Sequence, residues 1–282
     1  MAEPTKDDGA MPLIEHLAEL RTRLIRAVLA LVAGIVITFY FAPDVMQFIF
    51  GPVADVLERR GLPNQLITLS PQEQFFAMFR VSLLTGLAVS FPIIAYQIWG
   101  FIAPGLYKNE KGAFLPFMIA SPVLFLMGAA FAHYIVTPLA LDFFISFADL
   151  PVLLGAIFAG EGAAPVAEVA DQEGISLVFS GSVKETLDLS LKFVFAFGIC
   201  FQLPVLLTLL GLAGLVSAEG LKAVRKYAVV GILVVAALVT PPDVITQLIL
   251  FVVVYALYEV SIWLVWMVER RRARDEAAED MA

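Results

Sequence analysis

Charge is what this chain has least of. Of 282 residues only 16% are charged, whereas 60% are hydrophobic; soluble domains average about 25% charged and about 45–50% apolar. A water-soluble fold has nowhere to bury that excess, but a bilayer does. Cysteine is almost absent. The single Cys200 excludes an internal disulfide framework and a multi-cysteine metal site, and its place inside an apolar run reads as a buried, inert thiol. Histidine is scarce as well. His16 and His133 have no HExxH-type partner, and neither a Walker motif nor a GxSxG is present. With no nucleophile–base set, the chain does not read as an enzyme, and no metal, cofactor or nucleic acid is expected. His133 reads as a packed or interfacial residue. The opening stretch MAEPTKDDGAMP is polar and acidic, with no cleavage site after the first apolar run, so that run is expected to stay as an anchor.

What the chain does have is long apolar runs. A helix needs about 20 apolar residues to cross about 30 Å of hydrocarbon, and it must satisfy its backbone polar groups within the segment. Six runs meet or approach this requirement: 24–42, 75–101, 113–138, 187–213, 227–240 and 244–268. The expected fold class is an all-α integral membrane protein of six transmembrane helices. It forms a single domain over 1–282, with outer connections at 43–74 and 139–186 and a polar tail at 269–282. Within the first connection, Val45, Phe48, Ile49, Val53, Val56 and Leu57 recur at helical spacing, which predicts a short amphipathic helix at the interface. The second connection carries Gly160, Gly162, Pro165 and many acids, and reads as irregular.

Lysine and arginine set the sidedness. With the amino terminus inside, only Arg59, Arg60, Arg80, Lys184 and Lys192 of the 18 basic residues fall on outer segments, leaving 13 inside. That asymmetry predicts both termini in the cytoplasm. The fifth run is short: residues 227–240 give about 21 Å of helix, and Pro241 and Pro242 stop it. Either the turn Thr240–Asp243 sits below the outer surface, placing Asp243 at membrane depth beside a concave face, or the bilayer thins and Asp243 caps the sixth helix. Pro92, Pro116, Pro122 and Pro204 lie inside other runs and should bend them, favouring a curved, open bundle.

Few polar groups remain as candidates. Glu15 and Glu19 lie four residues apart before the first run, where an inner flank is normally basic. They either pair with Arg23 or Lys6 on a solvated helix face or form an acidic patch that receives a basic partner. Glu110, the only acid in 91–110, falls on the same side, beside Lys108 and Lys111. Glu259 interrupts the sixth run, as a functional group or as one half of a satisfied interhelical bond.

The segments HLAELRTRL (16–24), SPQEQFFAMFRVSL (70–83), FPIIAYQIWGFIAPGLYKNE (91–110), FQLPV (201–205) and TPPDVITQ (240–247) resemble the signature segments of the TatC family, the multispanning subunit of the twin-arginine protein translocase. The resemblance spans residues 12–270. It implies a receptor for signal peptides bearing paired arginines, acting with the single-span subunits TatA and TatB and self-associating in a receptor complex. It implies export of folded proteins across a bacterial inner membrane, energised by the proton-motive force. The family's recognition acids fall on Glu19 and Glu110, with Arg21 and Phe101 as neighbouring motif positions, and its polar intramembrane positions fall on Gln202 and Asp243. Many members carry glutamate where this chain has Gln202; a neutral amide holds no charge, but can hydrogen-bond a partner helix. The connection 139–186 looks longer and more acidic than is usual in the family. A proton-coupled small-molecule transporter is the contrasting reading; it would place charges near the midplane of several helices and show repeat symmetry between halves.

Overall fold

Apolar residues dominate every long segment of the chain, and such segments fold as helices because lipid offers their backbone no other partner. The computed structural model describes residues 13–102, 111–158, 181–241 and 243–279. The helices are α1 (Leu13–Tyr40), α2 (Ala42–Arg59), α3 (Pro71–Ile102), α4 (Lys111–Phe131), α5 (Thr137–Phe158), α6 (Val183–Cys200), α7 (Leu203–Leu212), α8 (Ala218–Ala223), α9 (Arg225–Val239) and α10 (Val244–Glu279). A π-helical turn, Ala132–Val136, joins α4 to α5. Among the described residues the only β pairing is an isolated bridge between Ile67 and Ser182. Among the described residues, five stretches are long and apolar enough to cross a membrane: Leu17–Tyr40, Pro71–Phe101, Pro116–Phe147, Val183–Leu212 and Val244–Arg274. The 15-residue α9, about 22 Å long, is too short to join them by that measure.

Three segments differ from the sequence reading. Residues 139–158 are helical rather than irregular: α5 runs to Phe158 because its sequence stays apolar. Pro138 does not break it, since the missing N–H falls just after a turn wound wider than α, in which Thr137 bonds back to the Ala132 carbonyl. The run 187–213 is two helices: α6 ends at Cys200, and Pro204 occupies the first turn of α7, where no N–H is needed. The tail after 268 continues α10, whose 36 residues extend about 54 Å; arginine, glutamate and alanine favour helix even outside lipid.

The stripe expected on 44–60 forms α2. It buries Ile49, Val53, Val56 and Leu57, while Phe48 turns outward and stacks on His133 with ring centroids 4.5 Å apart. His133 is only 4% exposed, a packed residue. Gly61, at φ +65°, ends α2: only glycine takes that left-handed conformation freely, and it lets Leu62 N–H donate to the Leu57 carbonyl at 2.9 Å.

α1 and α3 run antiparallel, with Phe39 near Phe75 towards one end and Arg23 against Gly100 at the other. Small residues let the backbones nearly touch between these points. A Cβ on Gly34 would lie 2.1 Å from Ser90 Oγ, and one on Gly86 would lie 2.7 Å from the Ile35 nitrogen. Ser90 donates to the Ala30 carbonyl at 2.8 Å and Thr38 to the Ser82 carbonyl at 2.9 Å, the close packing and polar cross-links by which helices associate in lipid. The main core gathers Phe193 and Phe197 of α6 with Leu250, Val254 and Val265 of α10.

Polar groups tie the end where α1 finishes. The Glu73 carboxylate accepts from Leu69 N–H at 2.7 Å and Lys184 N–H at 3.0 Å, joining the 61–70 connection to the start of α6. Arg80 and Asp188, the charges that interrupt two separate runs, pair with each other: Nη1 lies 2.5 Å from Oδ1 and 2.7 Å from Oδ2.

Candidate functional site

At the opposite end, α1 begins beside the last turn of α3. Glu19 and Arg23 are one helical turn apart, and Arg23 reaches back to the carboxylate. Its Nε donates to Oε1 at 2.8 Å, and its Nη2 lies 2.6 Å from the same oxygen. The other oxygen, Oε2, is buried and has no hydrogen-bond partner among the described residues. The Glu19 side chain is only 21% exposed. Arg23 can lie there because α3 presents no side chain: a Cβ on Gly100 would fall 2.2 Å from Nη1. Phe101 follows, partly buried, at the same end.

The structure thus brings Glu19 and Phe101 to one end of the α1–α3 pair and adds Arg23 and Gly100, while Arg21 is exposed on α1. Glu110, with Lys108, lies outside the described residues, as do the side chains of Glu15, His16 and Lys111. Two further buried polar atoms on the last turns of α3, Gln97 Oε1 and Trp99 Nε1, have no hydrogen-bond partner among the described residues. A carboxylate offers about four acceptor positions, and Glu19 has one oxygen unused in a poorly solvated place. Such an oxygen suits a guanidinium, whose N–H bonds to it are charge-assisted and directional.

The other candidates are engaged locally on other helices. Gln202, at the α6–α7 break, makes a reciprocal pair with Ser121 of α4: its Nε2 donates to the Ser121 carbonyl at 2.9 Å, and Ser121 Oγ donates to its Oε1 at 2.6 Å. Asp243 is 5% exposed and caps α10: Oδ1 accepts from Thr246 N–H at 2.7 Å and Oδ2 from the Thr246 hydroxyl. Glu259 pairs with Arg225 across α9 and α10, Nη2 to Oε2 at 2.6 Å, so its interhelical bond is satisfied.

Sequence reasoning missed Ser121 and Gly100 outright. A serine inside an apolar run and a glycine before an aromatic carry no local signal of what they touch. It also missed the Arg80–Asp188 and Arg225–Glu259 pairs, although opposite charges in separate runs were a signal available for both. The Gln202–Ser121 pair leads to one expectation. Gln202→Leu strands the Ser121 groups and should cost about 1–3 kcal/mol, read as a lower melting temperature in detergent. With Ser121→Ala added, the combined loss should be smaller than the sum of the single losses; strict additivity would show that the two do not interact.

The family model described as "Sec-independent protein translocase protein (TatC)" matches residues 15–252. Similar proteins bear that same description. The one from Magnetococcus marinus is 39% identical over 269 residues, covering 95% of this chain and 89% of its own length. The one from Aquifex aeolicus is also 39% identical, covering 95% of this chain and all of the relative. The Escherichia coli K12 protein is 32% identical over 91% of this chain and 88% of its own. Among solved structures, a crystal structure of the twin-arginine translocase receptor TatC superposes with a TM-score of 0.69 at 37% identity, covering 90% of this chain and 99% of that one. A second, in DDM, gives 0.70 at 39% identity, covering 88% and 98%.

Proposed function

Because the chain belongs to the TatC family of Sec-independent protein translocase proteins, we propose that it is the receptor subunit that binds signal peptides bearing paired arginines. As a family member it is an all-helical membrane protein of protein translocation, and not an enzyme. The proposed site lies where α1 begins and α3 ends, and comprises Glu19, Phe101 and Arg21 together with Glu110. The observation that carries this reading is the Glu19 carboxylate, with one oxygen held by Arg23 and the other buried without a hydrogen-bond partner among the described residues.

One exposed ion pair yields only about 0–1 kcal/mol. Two acids held where water is partly excluded bind more strongly and select paired guanidinium groups, each matched by a carboxylate. The apolar part of the signal peptide then inserts along the helices. The full proposal places six spans in a bacterial inner membrane, α9 being the short one, with both termini in the cytoplasm. The distribution of 18 basic residues, 13 of them on inner segments, supports that topology. The short α9 and its proline stop favour a concave outer half. Asp243 there, with Gln202 and Glu259 deeper in the bundle, contributes to contacts with single-span TatA- and TatB-type partners. The assembly self-associates and exports folded proteins using the proton-motive force.

A photoreactive phenylalanine analogue at position 101 tests the site. It is expected to crosslink a twin-arginine signal peptide, and to crosslink one with both arginines replaced by lysine far less. Equal crosslinking of the two peptides, or none of either, would overturn the assignment.

A further inference from the structure

The two oxygens of Glu19 are not equivalent. Oε1 takes both contacts from Arg23, and Oε2 takes no hydrogen bond among the described residues. Arg23 is held in turn from the other side. An added Cβ on Gly100 would meet its Nη1 at 2.2 Å, its Cζ at 3.0 Å and its Nη2 at 3.4 Å, so the guanidinium rests on bare α3 backbone. The Arg23 side chain is 23% exposed, whereas its basic neighbours on α1, Arg21 and Arg26, are exposed. Within α1 this arginine is therefore wedged between an acid on its own helix and a side-chain-free position on the next.

We propose that Arg23, seated on Gly100, is a positioning residue that commits one oxygen of Glu19 and presents the other, giving the signal-peptide site its preference for arginine over lysine. The inference rests on the reading of Glu19 as a recognition acid. A directional fork needs a carboxylate fixed within about 0.5 Å and 10–20° of its working geometry, and Arg23 supplies that fixation. Arg23 also neutralises part of the Glu19 charge, so a compact ammonium gains little there, while a guanidinium still gains its directed bonds. Freed of Arg23, Glu19 is a mobile full charge that attracts any cation. Arginine peptides then bind less well and lysine peptides at least as well.

The test uses the full chain in lipid nanodiscs and measures the affinity of a twin-arginine signal peptide and of its twin-lysine counterpart. Gly100→Ala is the informative variant, because its methyl group has to displace only the flexible end of Arg23. It should keep the wild-type melting temperature and lower the arginine-to-lysine affinity ratio by about tenfold. Arg23→Gln should lower the ratio similarly, and Arg23→Lys should restore it only in part, keeping the charge but not the fork. A purely structural role for Arg23 would weaken both peptides equally and leave the ratio unchanged. If Glu19→Gln abolishes binding while Gly100→Ala and Arg23→Gln retain the wild-type ratio, the positioning role is overturned and the site stands. If Glu19→Gln leaves binding intact, the site and the positioning role fall together.

Discussion

Glu19→Lys is expected to abolish binding of twin-arginine peptides and export of folded reporter proteins. Removing one member of a buried, hydrogen-bonded charge pair costs about 2–5 kcal/mol, a fall in affinity of about 30-fold or more. Reversal adds repulsion, because the new ammonium would stand beside an Arg23 whose Nη2 now lies 2.6 Å from the carboxylate. The loss should therefore exceed that of Glu19→Gln. Glu110→Lys should produce a comparable loss if the second acid grips the second arginine. The two variants are separable by titrating a fluorescent signal peptide against each purified chain. Unchanged binding in Glu110→Lys would remove that residue from the site and leave Glu19 to act alone; unchanged binding in Glu19→Lys would refute the site itself.

The second large effect concerns packing. Gly86→Val is expected to separate α1 from α3. A Cβ there would come within 2.7 Å of the Ile35 nitrogen and 2.8 Å of its Cα, and backbone atoms cannot rotate aside. Overpacking of this kind costs about 1–3 kcal/mol, sometimes more. α1 has little else to hold it, since only 11% of its apolar window is buried inside the protein. The expected results are a clear drop in melting temperature and loss of disulfide crosslinking between cysteines placed at Ala30 and Ser90. Peptide binding should fall with them, because the proposed site needs Glu19 and Phe101 at one end of the helix pair, which holds only while the two helices stay in register. Gly231→Ala is the control: nothing lies within 4 Å of its added Cβ, and it should behave as wild type. Retained crosslinking in Gly86→Val would show that the glycine contact does not set the helix pair.

The contrast between Gly86 and Gly100 shows where local reading stops. Both are glycines in one apolar run, and nothing in the run distinguishes them. One faces rigid backbone and the other the tip of an arginine side chain, so the same added carbon has a structural effect at one and a functional effect at the other. The Arg80–Asp188 and Gln202–Ser121 pairs make the same point, since their members lie far apart in sequence and meet only when α3 finds α6 and α4 finds the α6–α7 break. The helical nature of 139–158 was obscured by the glycines and acids that follow it, and by Pro138, which a π turn accommodates.

Sequence alone determined the all-helical class, the apolar runs, the amphipathic α2, the short α9 and the one-turn spacing of Glu19 and Arg23. These follow from local physics: in lipid a backbone must satisfy itself within each segment, so composition and period suffice. Only the tertiary structure decided that one oxygen of Glu19 is buried and left unbonded among the described residues, that Gly100 makes room for Arg23, and that Gln202 and Glu259 are each satisfied by a residue of another helix. These outcomes depend on register and close approach between helices, and the hydropathy of a single segment does not encode either.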